Sequence, residues 1–124
     1  EQGFRRMEAT GLEYYSGDDG LNFAWLAHGA SGVISVVAHA DVHSWREMIT
    51  EVDEGDLAGA RAVAQRMRPL VGAIMGGGQG AVMAKEALLL QGRIPSAALR
   101  LPLVRASAEE VAALREALAA SGLL

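Results

Sequence analysis

The stretch that decides the fold reads YYSGDD at residues 14–19, followed across a spacer by GVISVV at residues 32–37. Residues 13–16 and 33–37 are rich in Tyr, Val and Ile and predict two β-strands, whereas the spacer, which ends at Gly29, predicts a helix. Together they predict one βαβ unit. Because parallel sheets occur almost only with both faces covered, we expect further strands in the same sheet and expect this chain to be part of a larger protein.

Composition and charge exclude several classes of protein. Hydrophobic residues make up 51% of the 124, which is ample for a core, and there is no cysteine for a disulfide scaffold. The net charge is −4 and the 11 basic residues are scattered, so we expect no nucleic-acid partner. No apolar run approaches the roughly 20 residues that cross a bilayer, and no signal peptide is visible. We therefore expect a cytoplasmic protein with no membrane contact.

The second part of the chain predicts helices only. The first of them ends at Gly55, and Asp56 caps a long helix that Pro69 should kink rather than end. Ser107 and Glu110 have the spacing of a capping box and open the last helix. A strand, a helix, a strand and then helices indicate the end of an α/β protein, either a barrel or a doubly wound sheet. The pattern alone does not choose between these two.

The chain resembles the C-terminal portion of the dihydrodipicolinate synthase family from about Phe4 onward. The resemblance rests on YSGDD at 15–19, LAHGASGVISV at 26–36, GDLAGAR at 55–61, RLPL at 100–103 and SGLL at 121–124. It implies an α/β fold: the C-terminal part of a (β/α)8 TIM barrel, with its last two strands, followed by a C-terminal helical segment. Residues 1–41 would end the barrel with strands seven and eight. Residues 42–124 would form the last barrel helix and the helical segment.

The resemblance also implies a reaction. Enzymes of this family form a Schiff base between a barrel lysine and pyruvate, then add the resulting enamine to aspartate semialdehyde in the synthesis of lysine and diaminopimelate. In the family, that lysine and a proton-relay tyrosine lie on strands six and five, upstream of the positions that this chain matches. We therefore expect no catalytic residue within these 124 residues and no activity of the chain alone. The family needs no metal or cofactor and is commonly a homotetramer or homodimer.

Three residues are candidates for substrate binding by the same resemblance. Gly17 and Asp18 would line the mouth of the barrel after strand seven, and the backbone carbonyl of Ile34 would approach the lysine and bound pyruvate. Turn chemistry gives a different interpretation, in which residues 17–19 form a simple turn and Asp19 caps the helix that follows. The sequence leaves both interpretations open for Asp19.

Other motifs predict structural roles. Lys85 is the only lysine, but it lies on a predicted helix rather than a barrel strand, so we expect a structural or solvated charge. His39, Asp41 and His43 have a metal-like spacing without further ligands, and a capping or pocket-rim role is the better prediction. The glycine-rich residues 76–80 predict a helix connection rather than a phosphate site. Trp25 and Trp45 predict packing contacts.

Two other functions remain open from the sequence. N-acetylneuraminate lyase and the 2-keto-3-deoxy sugar acid aldolases belong to the same superfamily and share the Schiff-base barrel. A hypothesis of another class is that residues 42–124 form a non-catalytic helical interaction module.

Overall fold

Two short parallel strands, with a helix between them, follow the first helix of the chain. The computed structural model describes residues 2–124. The elements in chain order are α1 (Gln2–Ala9), β1 (Tyr15–Ser16), α2 (Asn22–Ala27), β2 (Gly32–Val33), a 3-10 helix (Val37–His39), α3 (Val42–Asp53), α4 (Leu57–Met75), α5 (Gly80–Leu90) and α6 (Ala108–Ala120). Tyr15 lies opposite Gly32 and Ser16 opposite Val33 in a parallel register. The predicted βαβ unit is confirmed.

Both strands are shorter than the sequence predicts. Single hydrogen bonds extend the pairing at each end, from the Ser31 amide to the Tyr14 carbonyl at 2.8 Å and from the Ile34 amide to the Ser16 carbonyl at 2.7 Å. Beyond Ile34 the chain turns into the 3-10 helix, so the prediction of a strand up to Val37 is wrong. The amides of Val36, Val37 and Ala38 bind side-chain oxygens instead of a neighbouring strand.

The helix boundaries follow local capping as predicted. Asp56 accepts hydrogen bonds from the amides of Ala58 and Gly59 at the start of α4, which then runs through Pro69 without ending there. Ser107 and Glu110 form the reciprocal capping box at the start of α6. These bonds satisfy amides that the first turn of a helix leaves without an intrahelical partner.

The hydrophobic core lies among α3, α4, α5 and α6. Its largest fully buried members are Met48, Leu70, Ile74, Met83, Leu114 and Leu118. Each such side chain stabilises the folded state by roughly 1.5–3 kcal/mol relative to an exposed position. Leu26 and Val37, from the first part of the chain, belong to the same cluster. The division of the chain into residues 1–41 and 42–124 stays a prediction.

The two tryptophans pack as predicted. Trp45 is 3% exposed and belongs to the core cluster, whereas Trp25 lies half-buried against Phe4 of α1, with ring centroids 4.6 Å apart. A Cβ on Gly3 would clash with the Trp25 ring. Glycine at this position therefore lets α1 approach α2 closely.

Side chains of α5 hold the irregular segment between α5 and α6. Glu86 is 1% exposed, and its two carboxylate oxygens accept from Nε and Nη2 of Arg105, each at 2.7 Å. These bonds, together with the charge of Glu86, raise the pKa of the Arg105 guanidinium above its ordinary value. The neighbouring Lys85 donates through Nζ to the Ala98 carbonyl at 2.6 Å, which is the structural role that the sequence predicts.

We predict that Arg105→Met destabilises the chain, because it leaves the buried Glu86 carboxylate without a partner. Urea unfolding followed by circular dichroism measures this change. Arg115→Met, at an exposed arginine of α6, is the matched control and should cost far less. The double variant Glu86→Gln/Arg105→Met should recover part of the loss. An equal loss of stability in Arg105→Met and Arg115→Met would contradict the role of this ion pair.

Candidate functional site

The carboxyl ends of β1 and β2 lie side by side and carry two polar loops. In α/β barrels these ends form the active-site face. Gly17 and Asp18 follow β1 directly, and Ile34 follows β2. The hydrogen bond between the Ile34 amide and the Ser16 carbonyl joins the two loops at their starts. The structure thus brings all three predicted site residues to one edge of the sheet, here called the strand-end site.

The buried carboxylate of Asp19 connects the two loops of the strand-end site. Asp19 is 4% exposed, and its Oδ2 accepts from the amides of Val36 at 2.9 Å and Val37 at 3.2 Å. Its Oδ1 accepts from Nδ2 of Asn22 at 3.2 Å. The interpretation of Asp19 as a cap of the following helix is therefore wrong. The N-cap position of α2 is Leu21, which makes no side-chain capping bond.

Asp19 instead caps the start of the 3-10 helix, and Ser35 assists it. The hydroxyl of Ser35 accepts from the Ala38 amide at 2.9 Å. Three successive amides, from Val36 to Ala38, are thus held by two side chains. The Ser35 bond spans three residues and has the form of a local capping motif that sequence reasoning could have found. The Asp19 bonds span 17 and 18 residues and leave no local signal.

Ile34 presents its backbone at the strand-end site. Its side chain is 71% exposed, and its amide is used in the bond to Ser16. Its carbonyl oxygen accepts no hydrogen bond from residues 2–124. A backbone carbonyl is a strong acceptor that needs a partner once it is covered. This oxygen is therefore free to accept from a ligand or from another segment.

Gly17 and Asp18 form the other side of the site. A Cβ built on Gly17 meets no atom of the described chain within 4 Å, and its φ is not in the left-handed region. Neither packing nor backbone conformation within residues 2–124 requires glycine there. Asp18 is exposed, and its Oδ1 accepts from the Gly20 amide at 3.0 Å, as in an Asx turn. Ligand binding by these two residues stays a prediction.

Two residues of the motif formed by His39, Asp41 and His43 have backbone partners. Nδ1 of His39 lies 3.0 Å from the Val36 carbonyl oxygen, and Oδ1 of Asp41 accepts from the Ser44 amide at 3.0 Å. Asp41 is thereby the N-cap of α3, which confirms the predicted capping role. Within residues 2–124 no group of three or more His, Asp or Glu side chains is placed to hold a metal ion. None of the helices in that range is both long enough and apolar enough to cross a bilayer.

A parallel βαβ unit with loops at its strand ends, followed by a bundle of capped helices, is the arrangement expected at the C-terminal end of an α/β protein. The chain belongs to the dihydrodipicolinate synthetase family, which matches residues 4–121. It is 49% identical over 117 residues to the 4-hydroxy-tetrahydrodipicolinate synthase of Kineococcus radiotolerans, covering 94% of this chain and 38% of that relative. The sequence-based resemblance is confirmed.

Solved structures support the same assignment. Dihydrodipicolinate synthase from Thermotoga maritima superimposes with a TM-score of 0.87 at 39% identity, over 90% of this chain and 37% of that one. A structure described as a monomeric dihydrodipicolinate synthase variant matches with the same TM-score and identity, over 91% and 37% of the two chains. The chain spans about 40% of the length of the curated relatives that it matches. This confirms the predicted fold, the C-terminal part of the barrel.

We predict that Asp19→Ala destabilises the chain by roughly 1–3 kcal/mol, because it leaves two amides of a partly buried turn without acceptors. Hydrogen exchange at Val36 and Val37 should become faster, and the midpoint of urea unfolding should fall. Asp18→Ala is the matched control, since within residues 2–124 that carboxylate accepts only from the amide of exposed Gly20. Equal exchange rates at Val36 and Val37 in the two variants would contradict the assigned role of Asp19.

Proposed function

We propose that the protein that contains this chain condenses pyruvate with aspartate semialdehyde through a lysine Schiff base, in the synthesis of lysine and diaminopimelate. The observation that carries the proposal is the family match over residues 4–121, together with relatives named 4-hydroxy-tetrahydrodipicolinate synthase that are 43–49% identical. These relatives favour the synthase over N-acetylneuraminate lyase and the sugar acid aldolases. They also favour an enzyme over a free-standing helical interaction module.

The reaction needs an amine that these residues do not place at the strand-end site. A lysine amine adds to the ketone of pyruvate, and loss of water gives an iminium ion. Loss of a proton from the methyl group then gives an enamine, whose carbon attacks the aldehyde. Lys85 does not fit this role. It lies on α5, after the barrel strands, and its Nζ donates a hydrogen bond to the Ala98 carbonyl. In the proposal, the reactive lysine and the relay tyrosine belong to earlier barrel strands.

The proposed contribution of this chain is one wall of the pyruvate pocket. The free carbonyl oxygen of Ile34 would accept a hydrogen bond from the lysine ammonium or from the protonated imine, and so help to orient the nitrogen. The open space beside Gly17 would admit substrate next to the backbone. The exposed Asp18 would lie at the mouth of the pocket. Asp19 and Ser35 would keep the Ile34 loop in place.

Assembly and location are part of the same proposal. We propose a cytoplasmic homo-oligomer, a tetramer or a dimer, with no cofactor. One structural neighbour is a monomeric variant. Light scattering of the whole enzyme would therefore measure its oligomeric state.

We predict that a chimera joining the preceding barrel part of the Thermotoga maritima relative to this chain condenses pyruvate with aspartate semialdehyde. Coupled turnover of the two substrates measures the activity. Borohydride should trap pyruvate on the chimera but not on the 124-residue chain alone. Lys85→Arg in the chimera should leave both activity and trapping unchanged. A folded but inactive chimera, or an adduct on Lys85, would contradict the proposal.

We predict that Gly17→Val in the same chimera lowers kcat/KM by about tenfold or more, because the new side chain fills the space that substrate would use. Stability should stay nearly unchanged, since a Cβ at this position meets no atom of the described chain within 4 Å. Gly11→Val is the matched control, because its surroundings are equally open. Equal activity of the two variants would remove Gly17 from the proposed pocket.

A further inference from the structure

Two buried polar side chains connect α2 to the segment that follows β2. Asn22, the first residue of α2, is fully buried, and its Nδ2 donates to Oδ1 of Asp19 at 3.2 Å. The other carboxylate oxygen of Asp19 accepts from the amides of Val36 and Val37. Hydrogen bonds therefore run without a break from α2 to the start of the 3-10 helix. We call Asn22 and Asp19 the buried polar pair.

Stability alone does not account for the asparagine of this pair. Oδ1 of Asn22 is buried and has no hydrogen-bond partner within residues 2–124. A buried polar atom in this state lowers the stability of a protein, so each one calls for an explanation. An apolar side chain of similar size would fill the same space without this loss. What the asparagine side chain supplies within the described residues is the Nδ2 donor that binds Asp19.

The carboxylate of the pair fixes one end of the backbone that carries the Ile34 carbonyl. The Ile34 amide donates to the Ser16 carbonyl at 2.7 Å, and two residues further on the Val36 amide donates to Asp19 at 2.9 Å. Only the soft torsions of Ile34 and Ser35 lie between these two bonds, because the peptide units themselves are planar. The direction of the Ile34 carbonyl therefore depends on the bond to Asp19.

The Ile34 carbonyl has no partner of its own that would orient it. No donor of residues 2–124 binds this oxygen, and the neighbouring Ser35 hydroxyl is used by the Ala38 amide. Hydrogen bonds weaken steeply as their angle departs from linear, and those to a charged donor have the most to lose. The oxygen can thus act strongly on a charged nitrogen only if the bonds on either side hold it in place.

We propose that Asn22 and Asp19 are positioning residues for the condensation reaction. Asn22 orients the carboxylate of Asp19, and Asp19 holds the amides of Val36 and Val37. The Ile34 carbonyl is thereby directed at the nitrogen of the reactive lysine and of the imine that it forms. This inference rests on the proposed function. In it, neither side chain of the pair touches substrate, and both act through the backbone.

The kinetics of the chimera separate this role from a purely structural one. Asp19→Ala should lower kcat by about tenfold and change the KM for pyruvate by less than about twofold, because the Ile34 carbonyl acts on the protonated imine that forms during the reaction. Asp19→Asn should recover most of this loss. It keeps an acceptor for both amides, and a rotated Asn22 side chain can still bond to it.

Asp56→Ala is the matched control for these two variants. The Asp56 carboxylate also accepts from two backbone amides, but it does so at the start of α4. Its loss should leave kcat unchanged. An unchanged kcat in Asp19→Ala, the same loss in Asp19→Asn as in Asp19→Ala, or an equal loss in Asp56→Ala would overturn the proposal.

Asn22→Leu tests the other member of the pair. In the chimera, kcat should fall by about threefold, since the carboxylate of Asp19 loses the donor that orients it. The midpoint of urea unfolding should move little, because removal of the unpartnered oxygen offsets the lost bond to Asp19. A structural role predicts the reverse result, a lower midpoint with an unchanged kcat, and that result would overturn the role of Asn22.

A nuclear magnetic resonance measurement on the 124-residue chain makes the test independent of turnover. The carbonyl carbon resonance of Ile34 should shift in Asp19→Ala and in Asn22→Leu, and should stay close to its wild-type position in Asp19→Asn and Asp56→Ala. A resonance that does not move in Asp19→Ala would overturn the proposal. A folded wild-type chimera without activity would instead count against the proposed function, and the resonance would still decide whether the pair positions the carbonyl.

Discussion

The carboxylate of Asp19 is the contact on which the strand-end site depends. It lies on the turn after β1, yet it binds the amides of Val36 and Val37 after β2. Hydrogen bonds to a charged group contribute roughly 1.5–3 kcal/mol each, so these bonds offset part of the entropy cost of ordering the second loop. The bonds determine where the second strand ends. The nearby Ile34 carbonyl has no partner within residues 2–124 and lies at the edge where barrel enzymes bind their ligands.

The helical segment packs against the elements that carry this edge. α4 packs against α2, α3, α5 and α6, and its buried face carries Leu70 and Ile74. Where the chain leaves regular structure between α5 and α6, the buried Glu86 and its partner Arg105 hold it. The core reaches Val37 at the start of the 3-10 helix. Packing in the helices therefore positions the loop that carries Ile34.

The family assignment explains why so few chemical groups appear at the strand ends. In the proposed reaction, the electron sink is an imine formed on a lysine of another strand. This chain need only supply an acceptor atom and open space, and the Ile34 carbonyl and Gly17 are suited to those two tasks. A backbone carbonyl and a glycine carry no distinctive side chain. Resemblance to the family made them candidates, whereas chemistry read from side chains alone directed attention to Lys85 and to the histidines.

The sequence by itself determined the features that depend on local contacts. Asp41, Asp56 and Ser107 cap helices through bonds that span two or three residues, and periodic apolar residues define the helices that they begin. Only the tertiary structure decided the bonds of Asp19 and the 3-10 helix that replaces the end of the second strand. These depend on groups that are distant along the chain and meet only when the helices pack. No short-range sequence pattern predicts such long-range contacts, because the same residue types are equally common in local turns.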